Sequence, residues 1–132
     1  TSRFFQLLRM RLADSAIVSV QCTSPLVAPQ SYWCILNTMR DVGFDVRPYR
    51  AAVPTFGVWG FALAGIQPMM TERDGGFLVR HPLPDGLRFL DLKTTRSMFD
   101  MPADLSPVET QINRLNDQVL VRYYEQEWGA AL

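Results

Sequence analysis

The chain has 132 residues, 48% of them hydrophobic, which is enough for one ordinary core. Thirteen basic and thirteen acidic residues cancel, and no block of one sign offers the stripe that nucleic acid or anionic lipid requires. A near-neutral protein with a small-molecule ligand and no nucleic-acid partner is the expectation. Cys22 and Cys34 have no His/Cys cluster around them in sequence, so no metal is expected, and two thiols suit a reducing compartment better than a disulfide scaffold. The longest apolar run, around residues 58–66, is about half of what crossing a bilayer takes, and no charged segment followed by an apolar one opens the chain.

Residues 3–12 read as a helix, with Thr1 or Ser2 as its cap and Phe4, Phe5, Leu7, Leu8 and Leu12 at helical spacing. The chain opens in mid-pattern with no initiating methionine, which suggests a piece of a longer protein. Residues 16–20 are β-branched and almost continuously apolar, the pattern of a strand covered on both faces in a parallel sheet. Thr23-Ser24-Pro25 breaks that strand. Pro29 suits the first position of a second helix, whose core face is Tyr32 or Trp33, Leu36, Met39 and Val42, and Gly43 stands where a left-handed cap is wanted. Residues 44–53 then alternate. Pro48 places them at an edge or bulge, and Pro54-Thr55-Phe56-Gly57 turns the chain into an apolar strand over 58–64, an antiparallel hairpin.

Four prolines or glycine pairs between 67 and 84 mark a connection, with a brief strand expected at Phe77-Leu78-Val79. Asp91 is placed to cap a helix over 92–99, and Asp117 to cap a last helix presenting Val119, Leu120, Tyr123, Tyr124 and Trp128 on one face. The chain thus divides into a helix–strand–helix–hairpin part (1–66), a connecting loop (67–86) and a C-terminal helical extension (87–132).

Three stretches resemble the spermidine synthase family of polyamine aminopropyltransferases, especially its bacterial, often membrane-fused branch. Phe4-Phe5-Gln6-Leu7-Leu8 through Ile17-Val18-Ser19-Val20-Gln21-Cys22-Thr23-Ser24-Pro25 is similar to the family's helix and strand ending in a Val-Gln-x-x-Ser-Pro turn. Val53-Pro54-Thr55-Phe56-Gly57-Val58-Trp59-Gly60-Phe61 resembles the family's Val-Pro-Thr/Ser-Tyr/Phe-x-x-Trp-Gly-Phe hairpin, the most specific of the three. The tail, Leu87-Arg88-Phe89-Leu90-Asp91, Asn113-Arg114-Leu115, Val119-Leu120-Val121-Arg122-Tyr123-Tyr124 and Trp128, is supportive.

The resemblance implies an α/β fold, namely the C-terminal half of a class I methyltransferase-like (Rossmann-like) sheet with one parallel strand, an antiparallel hairpin and flanking helices. It implies aminopropyl transfer from decarboxylated S-adenosylmethionine, as co-substrate, to a polyamine such as putrescine, with no metal or other cofactor. The family's Gly-rich acidic nucleotide turn and its Asp-x-x-Asp stretch do not occur within these residues, so the isolated chain is expected to be inactive and to carry no catalytic residue. It would join the N-terminal half of the same domain, or pair with a second copy through its open sheet edge, in the cytoplasm or as the cytoplasmic domain of a membrane-anchored protein. A non-catalytic binding or scaffolding module that keeps the fold is the alternative reading, and a methyltransferase-like protein a weaker one.

For substrate binding the resemblance singles out Gln21, Thr55, Phe56 and Trp59. Gln21 ends its strand at the carboxyl edge, where open α/β sheets bind ligands, and its amide either bonds an amine or only backbone and water. Thr23, Ser24 and Pro25 suit ordinary turn chemistry as well as a pocket wall. Thr55 and Phe56 occupy the hairpin where many members carry a tyrosine. Phe56 lacks that hydroxyl, which puts putrescine itself in question. Trp59 either offers an aromatic face to a cation or packs in the core. Asp41 and Asp45 read as solvated, His81 as a surface residue, and Tyr123, Tyr124 and Trp128 as core or interface rather than a stacking platform.

Overall fold

The structure is a computed structural model and describes residues 1–69 and 79–131. Helix α1 (Ser2–Arg9) leads through a turn to strand β1 (Ile17–Gln21), helix α2 (Pro29–Asp41), and the hairpin of β2 (Asp45–Val53) and β3 (Gly57–Gly65). Helix α3 (Leu92–Phe99), a short 3-10 turn (Ala103–Leu105) and helix α4 (Val119–Ala131) follow. Phe77 and Leu78, expected as a brief strand with Val79, lie outside the described residues, and Val79 itself is in no strand.

Helix boundaries follow local chemistry. Thr1 Oγ1 accepts from the Phe4 N–H at 3.4 Å, and Asp91 Oδ1 accepts from the Thr94 N–H at 2.6 Å, so α1 and α3 start where their caps sit. Pro29 opens α2, and Gly43 closes it at φ 95°, a conformation few other residues take. α1 is shorter than its apolar spacing suggests and stops at Arg9. For α4 the expected cap is wrong. Gln118 turns left-handed at φ 50° just before the helix, which leaves Asp117 outside, paired with Arg122 at 2.7 Å. The buried Asn113 reaches in instead, its Oδ1 accepting from the Leu120 N–H at 3.3 Å.

The sheet has three strands in the order β1-β3-β2, all antiparallel neighbours. The parallel pairing expected for residues 16–20 is not found among the described residues, where β1 pairs with β3 alone and antiparallel, Ile17 opposite Gly65 and Gln21 opposite Phe61. The reason is topological. β3 returns from the hairpin into the slot between β2 and β1, so β1 and β2 run in one direction without touching. Nor is β1 covered on both faces; Ile17, Ser19 and Gln21 are exposed while Val18 and Val20 are half-buried. Pro48 is accommodated because β2 is an edge strand among the described residues.

α2 supplies the centre of the core. Tyr32, Trp33, Leu36 and Met39 are buried with Phe5, Phe44, Val46, Ala62 and Ala64. The two alanines of β3 present only methyl groups, which lets the large α2 side chains pack close to the sheet. On the opposite face Tyr49 stacks on Phe61, meets Phe99 of α3, and shares a 2.8 Å hydrogen bond with Ser19. Asp41 is exposed, but Asp45 is not free: it accepts from the Met69 N–H at 2.6 Å and pairs with Arg47 at 3.3 Å. Among the described residues no helix is long and apolar enough to cross a membrane.

Burial pushes the Cys22 thiol from 9.0 up to about 12, against a smaller opposing effect of a backbone hydrogen bond from Ala62. Two results are expected. At pH 8 the folded protein leaves Cys22 unmodified by iodoacetamide over a period that fully alkylates urea-unfolded chain. Stability also falls as pH rises from about 9 towards 12, because the unfolded thiol ionises first and the folded one keeps its proton. Equal labelling in both states would show that Cys22 is open to solvent.

Candidate functional site

The candidate residues gather at one end of the sheet, where β1 runs out and the hairpin tips over. Gln21 is the last residue of β1 and is exposed. Beyond it the ladder continues for two more bonds, Cys22 N–H to the Gly60 carbonyl and Gly60 N–H to the Thr23 carbonyl, each 3.0 Å. Strand alternation puts Gln21 on the same face as its partner Phe61 and as Trp59, two residues before Phe61 on β3.

Thr55 and Phe56 form the hairpin tip, closed by the Phe56 N–H bonding the Val53 carbonyl at 3.0 Å. Thr55 sits at φ 74°, a strained choice for a β-branched residue that stores on the order of 1–3 kcal/mol. Phe56 is 68% exposed, and its ring edge meets Trp59 at 5.7 Å. Trp59 is half-buried, with an indole N–H that finds no partner among the described residues. The structure therefore joins Phe56 to Trp59 directly and places Gln21 on their side of the sheet, whereas the exposed Thr55 stands at the turn.

Sequence reasoning missed what α4 adds. Trp128 lies 6.1 Å from Trp59 and 6.0 Å from Tyr124, so four aromatic rings run in a row from the hairpin tip to α4. The Trp128 indole N–H donates to Thr23 Oγ1 at 3.2 Å. One residue earlier, Glu127 accepts from the N–H groups of Gln30 and Ser31 at 2.7 and 2.9 Å and from the Ser31 hydroxyl at 2.7 Å. α2 has Ala28 at its cap position and no side-chain cap of its own. Glu127 therefore does from another helix what a local Ser or Asp does elsewhere. Below the row lies an open, mainly apolar cleft of about 400 Å³ lined by Cys22, Thr23, Ile35, Leu120, Tyr124 and Glu125, among others. The Tyr124–Trp128 spacing was visible in the sequence; nothing local showed which neighbour that face would meet. His81 is exposed, as read.

No protein-family model matches the chain. Curated proteins do, end to end. A polyamine aminopropyltransferase of Leptospira interrogans is 41% identical over 132 residues, all of this chain and 25% of that protein. Polyamine aminopropyltransferase 2 of Ralstonia nicotianae is 42% identical over 129 residues, 98% of this chain and 24% of that protein. The chain belongs to the spermidine-synthase-like family. Polyamine aminopropyltransferase 1 of Streptomyces coelicolor extends the similarity to 33% identity over 129 residues, 95% of this chain and 23% of its own. This spermidine-synthase-like chain spans about a quarter of the length of the curated relatives it matches. The similarity includes both the hairpin and α4, so the aromatic row lies wholly within the shared segment.

Proposed function

We propose that this chain is the C-terminal part of a polyamine aminopropyltransferase and forms one wall of its amine site, with the nucleotide-binding and acidic motifs supplied by the rest of the protein. The observation that carries this reading is the open flank of β1. Its outer edge has no partner among the described residues, Ile17 at its start is 53% exposed, and Phe4 and Leu7 of α1, with Met10 just after it, face solvent. An unpaired edge beside an apolar helix face is what a continuing methyltransferase-like sheet would cover, with the next strand running parallel to β1. The N-terminal half of the same domain is the partner proposed for it.

The chemistry is a displacement at carbon. The lone pair of the amine nitrogen forms a C–N bond to the methylene next to the sulfonium of decarboxylated S-adenosylmethionine. The C–S bond breaks, its electrons neutralise the sulfur to give methylthioadenosine, and the nitrogen then loses a proton. The leaving sulfur starts with a positive charge, so the step needs no metal. In this reading the Gln21 amide oxygen accepts from the ammonium and Trp59 offers its face to the alkyl chain and charge. Phe56 brings apolar surface where a hydroxyl would bond the diamine. Its absence costs a diamine about 1–3 kcal/mol and moves preference towards other polyamines. The proposed setting is the cytoplasm.

The test is methylthioadenosine formation by the natural full-length protein, given decarboxylated S-adenosylmethionine and a panel from putrescine to spermidine. Turnover with at least one amine is expected, and Gln21→Ala should lower kcat/KM about 10- to 100-fold. No product with any amine would sink the reading and favour a non-catalytic binding module.

A further inference from the structure

We propose that Trp128 of α4 is a second aromatic wall of the amine site, facing Trp59 and selecting for a linear alkylammonium chain; this rests on the aminopropyltransferase reading. A tryptophan that serves only the core needs burial and little else. Trp128 is only half-buried and yet anchored twice, by its own N–H on Thr23 Oγ1 and by the three bonds of Glu127 at the preceding residue. Those anchors fix the indole before any ligand arrives, so binding loses little side-chain entropy there. The ring they fix is 6.1 Å from Trp59, tilted 37°, and the row continues to Phe56 and Tyr124, which are 68% and 49% exposed.

Tryptophan has the strongest aromatic attraction for a cation, and methylenes pack well along indole faces. Two such rings meeting at the carboxyl end of β1, beside Gln21, suit a ligand that alternates methylene runs with ammonium groups. The apolar cleft below offers further surface to the methylene runs. The hairpin thus contributes one half of the aromatic wall and α4 the other.

In the full-length protein, Trp128→Leu should raise KM for the preferred amine about tenfold, with kcat within twofold and KM for decarboxylated S-adenosylmethionine unchanged. Trp128→Phe should recover most of the loss. Thr23→Val, which frees the indole without removing it, should raise the amine KM about two- to threefold. An amine KM unchanged in Trp128→Leu, while Gln21→Ala impairs turnover, overturns the inference and leaves aminopropyl transfer standing. If the unaltered protein makes no methylthioadenosine, the parent reading fails, and calorimetric titration with spermidine decides the role of Trp128. Binding weakened at least fivefold by Trp128→Phe or Trp128→Leu supports it; absent or unchanged binding overturns it.

Discussion

Replacing Glu127 with alanine should destabilise the protein by about 3 kcal/mol, more than most surface substitutions. The carboxylate accepts three hydrogen bonds at 2.7–2.9 Å from Gln30 and Ser31, at the start of a helix whose local cap residue, Ala28, has nothing to offer. Its removal leaves two backbone N–H groups and a hydroxyl in search of partners, and takes negative charge from the positive end of the α2 dipole. Glu127→Gln keeps an acceptor without the charge and should recover about half of the loss. Urea midpoints give the magnitude. Amide hydrogen exchange at Gln30 and Ser31 gives the cause, since both should accelerate in Glu127→Ala. Unchanged protection at those two amides would mean that α2 does not depend on α4 for its cap.

Gly60→Ala should cost a similar amount, about 3 kcal/mol, for a steric reason. A Cβ there would fall on the Tyr32 ring and 2.7 Å from the Thr23 carbonyl oxygen. Neither can step aside easily. Tyr32 is fully buried and its hydroxyl is tied to the Phe61 carbonyl at 2.9 Å, while the Thr23 carbonyl bonds the Gly60 N–H. The glycine is therefore a packing requirement, and its removal should also loosen the Cys22–Thr23 extension that bears the Trp128 anchor. A double variant with Tyr32→Leu separates the two neighbours: if the tyrosine ring dominates the clash, Gly60→Ala costs less in that background than alone. A urea midpoint for Gly60→Ala that matches the unaltered protein would remove the argument.

The parts of the fold legible in the sequence were those governed by near neighbours. Pro29 and Gly43 bracket α2, Asp91 starts α3, and Pro54 to Gly57 turns the hairpin, because each works within a few residues of itself. The apolar run at 16–20 announced a strand but held no information on its partner, since pairing is decided by which distant strand returns to it. Asp117 looked like a cap for the same local reason that Asp91 did; a left-handed Gln118 and a side chain from Asn113 displaced it. The contacts that shape the candidate site were the least legible. Glu127 reaches Gln30 across 97 positions and Trp128 reaches Thr23 across 105, so their spacing on α4 identified a face without its neighbour.

The central position of β3 also bears on how the chain is made. Synthesis delivers β1 first and β3 last, yet every ladder bond in the sheet involves β3. Until Gly65 has left the ribosome, β1 lacks its antiparallel partner, and Asp45 to Val53 waits for the same segment. Sheet formation is consequently a late, nearly simultaneous event, and before it the apolar strand at Ile17 is an open template for chaperones or for other nascent chains. A slow stretch of translation just after the hairpin would give that event time to finish, whereas one placed before it would prolong the interval in which β1 is bare.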